Sequence, residues 1–334
     1  MSYTIGIDVS KDRLDCAGRC NMDQVKTTRR HSTNTPKGFS SLLIWAKKIS
    51  GLCAKDLSFI IEPTSIYHDK LVAFMHACGA TVYLVNPARV RKFAEGIGIL
   101  SKNDVIDADL LSHYGLAAKK LIAFKPLSQD ICALTSFMNR IRTLDKDLRR
   151  EQNRQEKSGR ASVFDKLEEK SIQRLVKQRK NEIKRFEEAI RKLVKQSDLL
   201  RKDYELLLSI PGVGEKTAWI MLVVLKSQVF ASAKEAASFI GLNPIEKRSG
   251  KKAYRRPRLS KAGNSFFRQA LFFPAIVATT KNPDIQAQYE RLLENNKTKM
   301  CAIGAAMRKL VHICYGVLKS QRPYESQRQV VKRS

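Results

Sequence analysis

Three aspartates stand within six residues of SKNDVIDADL (101–110): Asp104, Asp107 and Asp109. The chain around them carries a formal net charge of +30, so a local excess of negative charge needs a reason. One reason is local: acidic side chains favour the first turn of a helix, where the backbone dipole is positive. The other is chemical. Asp104 and Asp107 are three apart and share a helix face, which Asp109 leaves. Asp8 ends the β-rich run YTIGIDVS (3–10), and Glu62 ends a second run in LSFIIEPT (57–64). In α/β sheets, reacting groups tend to sit just beyond strand ends. Four gathered carboxylates repel one another and need a cation, and Mg²⁺ prefers oxygen ligands. Two such ions ~4 Å apart stabilise both the entering and the leaving oxygen of a phosphoryl displacement.

A second concentration has the opposite sign. From Lys247 to Arg268 stand nine basic residues with no acidic one among them: Lys247, Arg248, Lys251, Lys252, Arg255, Arg256, Arg258, Lys261 and Arg268. Gly250, Pro257 and Gly263 predict a loop, and Tyr254 offers a stacking surface. Such a loop suits phosphate contacts, which give affinity without sequence information. Ser249, followed by Gly250, reads on spacing alone as a turn. Ser260 is a second hydroxyl in the stretch. Ser265, after Asn264, reads as a helix cap. Upstream, SIPGVGEKTA (209–218) looks like the hairpin of a helix-hairpin-helix motif. There Gly212 and Gly214 would let backbone N–H groups approach a phosphate at a helix start; a plain interhelical turn has the same pattern.

The elements that must position these residues fall into three stretches. KDRLDCAGRC and QVKTTRRHST continue the first strand as a meander. GFSSLLIWAKKI (38–49) has helical spacing. LSFIIEPT and TVYLVNP (81–87) are buried strands, separated by a helix that closes at Gly79, and DVIDADLLSHYGLAAKKL is again helical. Strands alternating with helices predict an α/β domain over 1–125. Residues 130–208 hold no Pro and a single Gly. Their apolar series Ile183, Phe186, Ile190, Leu193 and Leu200, with polar Ser197 in the same series, is a helical seam. It reads either as a coiled coil, making 126–205 a linker and dimerisation segment, or as a helix packed on its own domain. Ser158–Gly159 divides the stretch into two long helices. Residues 206–322 form a mostly helical unit, and 323–334 a basic tail.

Composition narrows the partner. The chain has 334 residues, with 62 Lys+Arg against 32 Asp+Glu. That balance implies a polyanion, nucleic acid first and an anionic membrane surface second. No segment approaches the ~20 apolar residues of a membrane span, and the N-terminus lacks the pattern of a secretory signal. A cytoplasmic, nucleoid-associated protein is expected. The seven cysteines are scattered, and the C-x3-C pair Cys16 and Cys20 has no second pair to complete a zinc site, so free thiols are expected.

Taken together, GIDVSKD, IIEPTSIY, VNPARVRKFA and SKNDVIDADLL resemble the Asp-Glu-Asp-Asp (DEDD) transposases of bacterial insertion sequences in the IS one-ten class. The resemblance extends through the second globular unit. It implies an RNase H-like N-terminal domain similar to the RuvC junction resolvase. Its four carboxylates fall on Asp8, Glu62, Asp104 and Asp107, holding two Mg²⁺ ions. RSG followed by RLSKAGN is similar to the pattern in which the serine of Ser-Gly, here Ser249, is the recombination nucleophile, with Ser260 second. SIPGVG would open the transposase-specific domain. The resemblance further implies a structured noncoding guide RNA that pairs with donor and target DNA, and a dimer assembling to a tetramer. Two other readings stay open. One is a junction resolvase in which metal-activated water attacks; the other is a non-catalytic RNA-binding protein on a dead nuclease fold.

Overall fold

A five-stranded mixed sheet organises the N-terminal part. β1 (Tyr3–Val9), β2 (Arg13–Arg19) and β3 (Thr28–Thr33) form an antiparallel meander. β4 (Leu57–Ile61) and β5 (Thr81–Leu84) add in parallel on the other side of β1, giving the order β3-β2-β1-β4-β5. The computed structural model describes residues 3–21, 27–63, 66–99, 104–158, 165–249 and 253–326. Of 104–106, 246–249 and 253–257 it describes the backbone alone. The chain divides into two compact units, residues 1–126 and 127–334.

In the first unit, side chains alternate across the sheet. Ile5, Ile7, Leu57, Phe59 and Ile61 point to one face. There they meet Phe39 and Leu42 of α1 (Pro36–Ser50) and Leu71 and Met75 of α2 (Asp69–Ala77). On the other face Ile60 packs with Val90 and Ala94 of α3 (Pro87–Gly96) and with Leu110 and Leu111 of α4 (Asp104–Ala117). Asn86–Pro87 both stops the strand and starts α3: the Asn86 side chain accepts a hydrogen bond from the Ala88 N–H, and Pro87 fills the first helical position, where its missing N–H costs nothing. Gly6 lets α4 lie directly on β1. A Cβ there would stand 2.1 Å from the Ala108 carbonyl oxygen.

The second unit is mostly helical: α5 (Gln129–Ser158), α6 (Lys166–Gln196), α7 (Asp198–Leu208), α8 (Glu215–Lys226), α9 (Ala233–Ile240), α10 (Ser265–Lys281), α11 (Pro283–Glu294) and α12 (Lys299–Ser320). The apolar seam of α6 faces its own chain. Ile183 and Ile190 are buried in one core with Leu134, Met138 and Ile141 of α5 and Trp219 of α8, and the rings of Phe137 and Phe186 sit 5.8 Å apart. Of the two readings of this seam, packing on its own unit is the one observed. Ile190→Asp is therefore expected to break the fold rather than merely separate subunits, because a buried unpaired charge costs several kcal/mol or more. Thermal unfolding followed by circular dichroism checks this; an unchanged melting temperature would refute it.

Four sequence expectations are corrected here. Up to Leu259 the basic stretch is not a loop but a two-stranded ribbon, β6 (Pro244–Ser249) and β7 (Ala253–Leu259), with a bulge between Ile245 and Lys247, while residues 260–264 are irregular as expected. A two-stranded ribbon leaves both strands as edges, so Pro257 is tolerated. The cap of α10 is Asn264, whose side chain accepts from the Phe266 N–H, and Ser265 is the first helical residue. The proposed tail begins tied down: Tyr324 donates from its hydroxyl to Asp284 at 2.8 Å, and Ser326 donates to the same carboxylate at 3.0 Å. Residues 327–334 lie outside those described. Finally, α12 is long and apolar enough, by length and composition alone, to cross a membrane. Its Ala306, Leu310, Val311 and Cys314 nevertheless pack into the core of the unit, as a buried core helix requires.

Candidate active site

The register of the sheet brings the carboxylates to one level. Ile7 and Ile61 are the last paired residues of the parallel strands β1 and β4. Asp8 and Glu62 follow them, so they leave adjacent strands side by side, about 5 Å apart in backbone. Alternation puts both on the face that carries Gly6 and Ile60, which is the α4 face. Helix α4 runs opposite to β1. Its Ala108 and Ser112 lie over Gly6, and a Cβ on its Gly115 would meet Thr4 and Ile60. From Ala108 back to Asp104 is one helical turn, about 6 Å; from Gly6 on to Asp8 is two strand residues, about 6.6 Å. The first turn of α4, with Asp104 and Asp107, thus stands over the strand ends that carry Asp8 and Glu62.

Asp107 and Asp8 are half-buried, and the side chain of Asp104 lies outside those described. Among the described residues no three His, Cys, Asp or Glu side chains form a ready-made ion cage. The donor set that the backbone assembles is all oxygen, the kind a hard divalent cation takes.

Asp109 has a different task. Its Oδ2 accepts from Arg29 Nη2 at 2.7 Å, and its Oδ1 lies 3.6 Å from Arg19 Nη2. These contacts tie α4 to both β2 and β3. Close by on α4, His113 packs edge-on against Phe93. Burial, then Arg19, push its pKa below the ordinary histidine value, with Asp109 opposing. Arg19 and Arg29 were not singled out from the sequence. The pairing of β1 with β2 sets Arg19 opposite Thr4, that of β2 with β3 sets Arg29 opposite Ala17, and together they put both arginines on the α4 face.

The second candidate region is the β6–β7 hairpin. Ser249 pairs with Ala253 at its tip, and Pro244 pairs with Leu259 at its base. Gly250, Lys251 and Lys252 lie outside the described residues, as do the side chains of Lys247, Arg248, Ser249, Arg255 and Arg256. Arg258 and Lys261 are exposed. Arg268 is committed to the protein: its Nη1 donates to the carbonyl oxygens of Ile240 at 3.0 Å and Gly263 at 2.5 Å. Ser260 sits at the base, where its N–H donates to the Asn243 carbonyl at 2.7 Å, and Asn243 also accepts from Arg308. The hairpin is thus braced at its base.

The turn between α7 and α8 separates the two glycines. Gly212 is left-handed (φ 95°), and its open side is filled by Ala278 of α10. Gly214 caps α8 with open space beside it. The acidic residue of that first turn, Glu215, is held by Arg191 at 2.7 and 2.8 Å. The arginine keeps its carboxyl below the usual range.

All seven cysteines are free thiols, with Cys16 buried and Cys20 exposed. Two family descriptions match the chain. One is the Transposase IS116/IS110/IS902 family, over residues 204–290. The other is a DEDD transposase description, over residues 5–158. Two relatives match over nearly their whole length: the pilin gene-inverting protein of Moraxella lacunata, 31% identical over 97% of this chain and 98% of that protein, and the protein of the same name from Moraxella bovis, 30% identical over the same shares. With the RNase H-like sheet order and the carboxylates at its strand ends, these matches show that the chain belongs to the IS116/IS110/IS902 transposase family and is a DNA transposase/recombinase.

Proposed function

We propose that this recombinase cleaves DNA with a serine nucleophile, Ser249, at a phosphodiester held by Asp8, Glu62, Asp104 and Asp107, and that a structured noncoding RNA selects the donor and target DNA. The observation that carries this reading is the convergence of the two strand ends and the first turn of α4, in a protein that also carries a braced basic hairpin. When bound, two Mg²⁺ ions would supply charge neutralisation for the phosphoryl oxygens. The chain's own part is to hold four carboxylates at one level, to fix α4 through Asp109, and to present a hydroxyl on the hairpin. The relatives' name speaks of inverting a gene, so an inverted DNA segment is a product to look for.

Residues 127–334 carry 44 of the 62 basic side chains but 21 of the 32 acidic ones. Net positive charge is thereby concentrated where nucleic acid would bind, and the basic hairpin is its densest part. Self-association to a dimer and then a tetramer fits a reaction that joins two DNA ends, but it would use surfaces other than the buried α6 seam. RNA that co-purifies with the protein, once sequenced, is expected to map to DNA flanking the gene. Arg255→Gln, Arg256→Gln and Arg258→Gln combined are expected to weaken binding of that RNA and to flatten the slope of log K against log salt by about 2 to 3, the value for three lost phosphate contacts. An unchanged slope would remove these residues from the interface.

A further inference from the structure

The side of α6 opposite its buried seam carries charge of one sign. Ile172, Val176, Ile183, Ile190 and Val194 are buried along one side of the helix. At about 3.6 residues per turn, the row diametrically opposite is spaced by threes and fours through Asn181 and Glu188. It holds Lys170, Arg174, Lys177, Lys184, Lys192 and Lys195, and every residue of the row is exposed. Among the described residues none of these six basic side chains stands within ion-pair distance of a carboxylate. The acids on either flank are engaged by other partners: Glu182 lies 3.5 Å from Arg185, and Glu187 lies 2.6 Å from Lys216. Like charges three or four apart on a helix repel, as Lys170, Arg174 and Lys177 must. A face kept only for solubility intersperses both signs. The seam packed against α5 holds the helix together under that repulsion.

We propose that this face of α6 binds the phosphate backbone of duplex DNA, as a second contact besides the β6–β7 hairpin. Charge and length both fit. From Lys170 to Lys195 the row runs about 38 Å at the helical rise per residue. One turn of B-DNA covers about 34 to 36 Å, and the duplex carries about one negative charge per 1.7 Å of its axis. A basic row laid along the duplex therefore meets phosphates over a full turn. Lysine and arginine against phosphate fix the position of a duplex without reading its sequence. DNA is the occupant because the chain belongs to a DNA transposase family. The proposal rests on that membership, and on neither the serine nor a guide RNA.

The test uses full-length protein freed of co-purifying nucleic acid in high salt. The probes are duplexes of about 30 base pairs, roughly three turns: native flanking DNA, unrelated DNA, and RNA. Lys177→Gln, Lys184→Gln and Lys192→Gln are combined in one variant. The three side chains are exposed and glutamine is a good helix former, so the melting temperature should hold. The variant is expected to bind both DNA probes at least about tenfold more weakly at physiological salt, and to flatten the slope of log K against log salt by about 2 to 3. The loss should be the same for both DNA sequences, the mark of phosphate contact. Lys281→Gln, Lys297→Gln and Lys299→Gln combined remove the same charge from other exposed positions and should flatten the slope by less than about 1. Unchanged DNA affinity and slope in the α6 variant would overturn the proposal. An equal loss from the control variant would overturn it too, since net charge and not this face would then be at work. A loss confined to the RNA duplex would assign the face to RNA instead. The hairpin variant Arg255→Gln, Arg256→Gln, Arg258→Gln, run beside them, keeps the two contacts apart: weakened binding there with none lost from α6 strikes this proposal and leaves the hairpin reading standing.

Discussion

Asp8→Asn should yield a folded, nucleic-acid-binding protein that recombines no DNA. The substitution keeps the shape of a half-buried side chain and removes one charge from the level where β1 and β4 end. If the carboxylates hold the cations that neutralise a phosphoryl displacement, several kcal/mol of barrier lowering go with that charge. A loss of about 4 kcal/mol is a factor of about 10³ in rate. The measurement is the yield of recombined junctions, by amplification across the product, from a plasmid carrying the gene and its native flanking DNA. Glu62→Gln should behave alike. Asp109→Asn is the control from the same helix, since its carboxylate binds Arg29 and Arg19. It should lower the melting temperature and cost activity only modestly, through a looser α4. Wild-type yield from Asp8→Asn would exclude a catalytic role for the strand-end carboxylates.

How far this site was legible follows from where its information resides. The strand-end positions of Asp8 and Glu62 were readable because each closes an apolar run of the kind a buried strand needs, and such runs are strong in a parallel sheet. The pair Asp104 and Asp107 was readable because a spacing of three has only one helical meaning. What the sequence could not display is register. Nothing in TTRRHST says that His31 faces Asp15, or that Arg29 rather than Arg30 reaches α4; one step of slip in β3 would exchange them. The hairpin was missed for a related reason. Its glycine and proline weigh toward a loop, and its basic residues hide the alternation that marks a strand, yet ladder pairing from Pro244–Leu259 to Ser249–Ala253 holds it. The α6 seam shows the reverse limit. Heptad-like spacing announces that a partner helix exists but not whose it is, and here α5 of the same chain supplies it.

The hairpin now separates two hydroxyls that the sequence left as rivals, and it makes the nucleophile testable. Ser249 pairs with Ala253 at one end of the ladder, while Ser260 follows Leu259, which pairs with Pro244 at the base. Ser260 stands level with Asn243, and six residues of strand at about 3.3 Å each put the two serines about 20 Å apart along the ribbon. A phosphate gripped at one of them is out of reach of the other. Ser260 is set into the brace, its N–H on the Asn243 carbonyl, whereas a residue at the tip of a basic ribbon is the one that can be carried to a bound backbone. Ser249→Ala is therefore expected to bind DNA with unchanged affinity and to form no covalent protein–DNA adduct in a denaturing gel, a loss of at least about 10³-fold given that no hydroxyl remains to attack. Ser260→Ala should still form the adduct. If Ser260→Ala abolishes it and Ser249→Ala does not, the nucleophile belongs at the base of the hairpin. If both variants cleave DNA and neither the variants nor the wild type ever shows an adduct, water is the attacking group and neither serine takes part in the chemistry.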